Sequence, residues 1–146
     1  MKKYNGTLYR SKWDGSTWLM IALIFICCIL PFIFDDDGLL PAIVCFIVLL
    51  FTILTFTGIY YRIDGNNLVV YQFFFPTSFP IDKITDIRKS KSFLSAPATS
   101  LKHRIEIRFS DRSILKSVMP LIISPATQSD FINELLKINP NIKVRL

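Results

Sequence analysis

Two uncharged runs constrain this chain more than anything else in it. Residues 17–34 read TWLMIALIFICCILPFIF and residues 39–61 read LLPAIVCFIVLLFTILTFTGIYY, with only DDDG between them. As helices they reach roughly 27 and 34 Å, against a hydrocarbon core of about 30 Å. Buried helices of a soluble protein are the alternative, but the 85 residues that follow are too few to wrap two helices that are apolar on every face. A cleavable signal sequence fits no better: the first run is too long, lacks a small-x-small cleavage site and leads at once into the second. The expectation is two transmembrane helices, 17–34 and 39–61, forming a tight hairpin around an outer turn at 35–38.

The charges orient this hairpin. Lys2, Lys3, Arg10 and Lys12 precede the first run, Arg62 follows the second, and the turn has no basic residue. Both termini are therefore expected in the cytoplasm. Asp35, Asp36 and Asp37 suit the outer turn and the positive end of the second helix's dipole. Adjacent carboxylates on so short a turn rarely converge on one ion. Pro31 and Pro41 fall near the helix ends, where proline does least harm. Cys27, Cys28 and Cys45 lie within the runs and show neither metal-ligand spacing nor a disulfide framework. A bacterial inner membrane fits this cysteine usage. The expected organisation is a cytoplasmic segment 1–16, the hairpin 17–61 and a cytoplasmic domain 62–146.

The domain has a different character. It carries 13 Lys and Arg against 7 Asp and Glu, which accounts for the whole net charge of +6. IYYRI and LVVYQFF flank Asp64-Gly65-Asn66-Asn67, residues suited to a hairpin turn. FPTSFP then breaks the strand pattern. IDKITDIRKS resumes it with an ambiguous spacing of three, read either as a bulged strand or as a helical turn. In LKHRIEIRFS, Leu101, His103, Ile105, Ile107 and Phe109 share an apolar face, leaving Lys102, Arg104, Glu106 and Arg108 on the other. SPATQSDFINELLKINP shifts to a helical period. Its start is signalled by Ser124 as a cap with Pro125, or by a Thr127–Asp130 capping box, its stripe by Phe131, Leu135 and Ile138, and its stop by Asn139-Pro140. The fold class is thus a membrane helical hairpin followed by an α+β domain, a bent antiparallel sheet with a C-terminal capping helix.

YRSKWD, YYRI, FPIDKITDIRKSKSFLSAPATSLKHRIEI and IISPATQSDFINELLKINP together resemble the bacterial PH-like domains of the YyaB type, small membrane-anchored proteins. SAPATS and the ISP…F…L…NP pattern are the most specific of these stretches, and RFSDRSILKSVMPLIIS departs from the pattern. The resemblance implies a PH-like fold and no biochemical activity.

Catalytic chemistry finds no support. The five glycines form no phosphate-binding loop, the one histidine, His103, is expected to point inward, and the carboxylates show no recognisable pairing. No catalytic residue, metal or cofactor is expected. Nucleic-acid binding lacks a motif, and basic charge beside anionic lipid is the simpler reason for the excess. The binding candidate is the junction around residues 93–107. Lys89 and Lys91 approach it, Lys102 and Arg104 leave it, and Ser95 and Ser100 add hydroxyl donors, a set suited to an anion. Eukaryotic PH domains bind phosphoinositides near a strand–strand loop, but with a different motif. The plainer reading is favoured, in which Lys102, Arg104, Glu106 and Arg108 are one solvated strand face and Pro97 and the hydroxyls only shape a loop.

The expected function is a non-enzymatic, membrane-anchored PH-like module. It would present a cytoplasmic surface to anionic lipid headgroups or to an unidentified protein partner, with no nucleic acid involved. The alternative is a membrane immunity factor against a secreted antimicrobial peptide, with the outer aspartates as the contact. Assembly into a larger membrane complex is a third class, since Ala22, Ala42, Thr52, Thr55, Thr57 and Gly58 permit helix packing.

Overall fold

A computed structural model of the chain describes residues 6–34, 39–90, 98–100, 102–111, 115 and 120–146. The order of elements is β1 (Thr7–Arg10), α1 (Gly15–Phe34), α2 (Leu39–Thr57), β2 (Tyr60–Asp64), β3 (Asn67–Gln72), β4 (Phe75–Pro80), β5 (Ile84–Lys89), β6 (Ile105–Phe109), β7 (Leu121–Ile123), α3 (Gln128–Ile138) and β8 (Lys143–Arg145). The outer aspartates lie outside the described residues.

Helices α1 and α2 run antiparallel. Trp13, just before α1, meets Phe56 at the end of α2, while Cys28 and Ala42 are buried against each other's helix further along. Among the described residues, α2 is long and apolar enough to cross a membrane, and α1 contributes a shorter apolar stretch, Gly15–Pro31. Leu19, Leu23, Ile26, Leu40, Phe46 and Ile47 are all exposed on the pair.

The strands form two four-stranded sheets, in the orders β1-β2-β3-β4 and β7-β6-β5-β8. All pairings are antiparallel except β5 with β8. Strand β1 precedes the helices in the chain, yet it pairs with β2, so the helical pair is inserted in the β1–β2 connection. The β2–β3 turn falls where expected, with Gly65 at φ +55°. The break read at FPTSFP is in fact strand β4. It is an edge strand, where proline costs no ladder bond that matters. It escapes pattern reading because Phe73 and Phe74, at φ +51° and +68°, close the hairpin in place of the usual Asn-Gly.

Both readings of IDKITDIRKS are realised. Ile81–Lys83 is a 3₁₀ turn, and β5 shifts register between Ile84 and Asp86. This corner carries the chain from one sheet to the other. The core lies between the sheets and is built from Tyr61, Leu68, Ile81, Ile87, Ile105, Ile107 and Ile123, all almost fully buried. Helix α3 closes it with Phe131, Ile132 and Leu135. Phe131 packs edge-on against Tyr9, with ring centroids 5.1 Å apart. Asn139 ends α3 and ties it to the corner, its amide donating to the carbonyls of Ile81 (3.0 Å) and Ile84 (3.1 Å). Helix α3 starts at Gln128 with Thr127 as its N-cap, the later of the two expected starts, but the Thr127 side chain makes no cap hydrogen bond.

Candidate functional site

The loop–strand junction is not laid out as its alternation suggests. Strand β6 begins at Ile105, and the chain bends at Lys102 and His103. Arg104 is consequently buried (5% exposed) and His103 exposed, the reverse of the expected register. The Arg104 guanidinium donates to the Ser100 carbonyl. Lys89 and Lys102 are exposed, and Lys91 and Ser95 lie outside the described residues.

Ser100 is fully buried, and its hydroxyl donates to Asp14 Oδ2 at 2.7 Å. Asp14 is the residue on which this region turns. Its Oδ1 accepts the N–H groups of Ser16 (3.1 Å) and Thr17 (3.3 Å), capping α1. Its Oδ2 also accepts the Lys102 N–H at 3.2 Å. Burial alone would raise this carboxyl, but hydrogen bonds from Ser16, Ser100, Lys102 and Thr17 outweigh it. Together they hold Asp14 well below the usual carboxylate range.

Beside Asp14 lies a buried hydroxyl cluster. Ser11 Oγ is 2.7 Å from Thr99 Oγ1, 2.9 Å from Ser124 Oγ and 3.0 Å from the Tyr61 hydroxyl. Thr99 also donates to the Lys12 carbonyl (2.7 Å), and Thr17 Oγ1 to the Thr99 carbonyl (3.0 Å). Three stretches singled out in the sequence, YRSKWD, SAPATS and ISP, thus meet here. Their polar residues bind one another, which fixes the start of α1 to the domain. The sequence reading did not assign Ser11 or Asp14 to a site. An aspartate directly before an apolar helical run is an N-cap signature that marks Asp14; nothing in the spacing marks Ser11.

A cleft of about 460 Å³ opens where α2 ends. It is lined by Leu8, Arg10, Trp13, Phe56, Tyr60 and Arg62, among others. Register explains the pairing of charges. Arg10 faces Tyr60 and Leu8 faces Arg62, so the two arginines are diagonal neighbours on the sheet face away from the core, about 7–8 Å apart. No carboxylate is among the described residues that line this cleft. A second cleft, near Arg88, Arg108 and Arg145, differs in that respect. Asp86 pairs with Arg88 and Arg145, and Glu106 with Arg108. The Arg10–Arg62 cleft sets two guanidinium groups beside an indole and a phenol. In the sequence these two arginines stand out only as orienting charges.

Residues 59–139 match the family described as bacterial PH domain. The match runs from the start of β2 to the end of α3, leaving β1, both apolar helices and β8 outside it. No curated protein and no solved structure matches the chain. The match covers more than half of the chain and spans most of the elements that enclose the core, and the chain belongs to the bacterial PH domain family.

Proposed function

We propose that this protein is a non-enzymatic, membrane-anchored PH-like module of the YyaB type, with both termini cytoplasmic. In this reading α1 and α2 cross the bilayer as a hairpin, and the domain sits at the leaflet surface with anionic lipid headgroups as its ligand. The observation that carries it is the Arg10–Arg62 cleft, which opens at the end of α2 with Phe56 and Trp13 in its wall. A cleft at that level meets headgroup phosphates at high local concentration. Two guanidinium groups match a phosphate in both charge and geometry. The exposed apolar surface of the helical pair supports the anchor, since so wide an apolar face is unstable in water.

The test uses the full chain in nanodiscs of graded phosphatidylglycerol content. Thermal stability should rise with anionic lipid. Arg10→Gln/Arg62→Gln should remove most of that rise, while Lys89→Gln/Lys102→Gln, at the loop–strand junction, should leave it. Equal stability in zwitterionic and anionic discs would sink the headgroup reading and turn attention to a protein partner. Release of the chain from membranes by alkaline carbonate would sink the anchor.

A further inference from the structure

We propose that the tip of the β3–β4 hairpin, Phe73 to Phe75, is a second membrane contact that dips into the interfacial layer of the leaflet at the end of α2. This rests on the reading of α2 as a membrane span.

The backbone of this turn is the first observation. Gln72 pairs with Phe75, so Phe73 and Phe74 are the two turn residues, and both lie in the left-handed region. That conformation suits Asn-Gly and is an outlier for a bulky side chain. A turn of Asn-Gly would join β3 to β4 without strain, so what the phenylalanines add is their rings. Phe74 is 49% exposed and Phe75 71%. No charged residue occurs between Asp64 and Asp82, so the whole hairpin enters an apolar layer without desolvating an ion.

Its position is the second observation. The ring of Phe73 lies 5.4 Å from that of Phe51, six residues before the last residue of α2, Thr57. At 1.5 Å per residue this contact is about 9 Å along the helix from its end. The Phe74 N–H donates to the Gly58 carbonyl at 3.3 Å. A Cβ on Gly58 would come within 3.0 Å of the Phe74 ring. The tip is therefore folded back along the helix rather than pointed away from it. Trp13 packs on Trp18 and on Phe56 near the same end of the helical pair, which extends the aromatic belt expected at a bilayer surface. With the β1–β2 ends already fixed at the helices, an inserted β3–β4 tip sets the tilt of the domain and turns the Arg10–Arg62 cleft toward the headgroups.

The test uses the full chain with Cys27, Cys28 and Cys45 replaced by alanine. A single cysteine is introduced by Phe75→Cys, which leaves the two turn residues intact, or by Leu50→Cys on the exposed face of α2. Each is labelled with an environment-sensitive fluorophore and reconstituted at low protein density in phosphatidylcholine–phosphatidylglycerol vesicles. Nitroxides high or low on the acyl chain and aqueous iodide serve as quenchers. The tip probe should lose most of its emission to the high nitroxide and little to iodide, and the Leu50→Cys probe should lose most to the low nitroxide. Iodide quenching of the tip with lipid quenching on α2 would overturn this inference alone. A tip shielded from both iodide and nitroxide would be covered by a second copy of the chain, which overturns it as well. Lipid quenching at neither position would overturn the span itself.

Discussion

Arg10 and Tyr60 face each other across the β1–β2 ladder, although the whole helical pair lies between them in the chain. The helices thus leave and re-enter the domain through two residues paired across one ladder, and the Asp14 cap and the Thr17–Thr99 bond brace the departing one. A domain held this way cannot swivel on the helical pair without breaking the ladder.

The domain is not expected to stand without β1 and the helical pair. A fragment of residues 62–146 lacks β1, the buried ring of Tyr9 and the Ser11 hydroxyl, and it also loses Tyr61, one of the largest fully buried side chains. Removing two large aromatics from one core costs more than a domain of this size has in reserve. The fragment is expected to show no cooperative thermal transition by circular dichroism. A cooperative transition would mean that β1 is dispensable.

Asp14 permits a sharper dissection. Asparagine keeps an acceptor for the α1 cap but cannot accept from both Ser100 and Lys102. Asp14→Asn is expected to cost about 2 kcal/mol, and Asp14→Ala more. Asp14→Asn and Ser100→Ala together should cost less than their sum, because they break the same bond. The pH dependence has a definite sign. The folded carboxyl is held below its ordinary value, so its contribution is complete above about pH 4 and is lost as pH falls through the lowered value. Unfolding of the detergent-solubilised chain between pH 7 and 3 checks this. Wild type and Asp14→Asn should converge toward the acid end, and a constant gap would refute the assignment.

These results also show where sequence reasoning reaches its limit. Periodicity identified the helical runs, the β2–β3 turn and the α3 stripe, because those residues obey local rules. It missed β4, where two phenylalanines adopt a turn conformation normally left to Asn and Gly. It placed Arg104 outside and His103 inside, because alternation was extended past Ile105 into a bend. The candidate site was legible only as charge. Arg10 and Arg62 share a cleft because β1 crosses the helices to pair with β2, and no local pattern reports a partner that far along the chain. The converging stretches YRSKWD, SAPATS and ISP were each conspicuous, but their common purpose is visible only in three dimensions.

Gly6 tests how closely β1 is seated. A Cβ there would stand 1.6 Å from the Ile63 carbonyl oxygen, so Gly6→Ala must push β1 off its neighbour. A loss of about 3 kcal/mol is expected, together with faster amide exchange across Thr7–Arg10. Gly15 begins α1 with nothing within 4 Å of an added Cβ, and Gly15→Ala should be neutral or slightly stabilising. Equal effects at both positions would show that the β1 contact is not what makes Gly6 necessary.

Tyr9 gives the alkaline counterpart of Asp14. Its hydroxyl donates to Glu134 across the β1–α3 contact. Burial first, then that bond and the negative charges of Glu134 and Asp130, push the phenol up to about 12. A raised folded value stabilises the protein fully below the ordinary pKa of about 10 and loses that contribution as pH climbs toward 12. Tyr60 and Tyr61 are shifted in the same direction by burial, so the useful quantity is the difference between wild type and Tyr9→Phe. At pH 8 the variant should be less stable by about 1 kcal/mol, for one lost hydrogen bond. Between pH 10 and 12 the gap should close and then reverse, since phenylalanine has no proton to lose. Parallel curves over that range would mean that Tyr9 does not ionise on unfolding, and would remove the Glu134 bond as a clamp between β1 and α3.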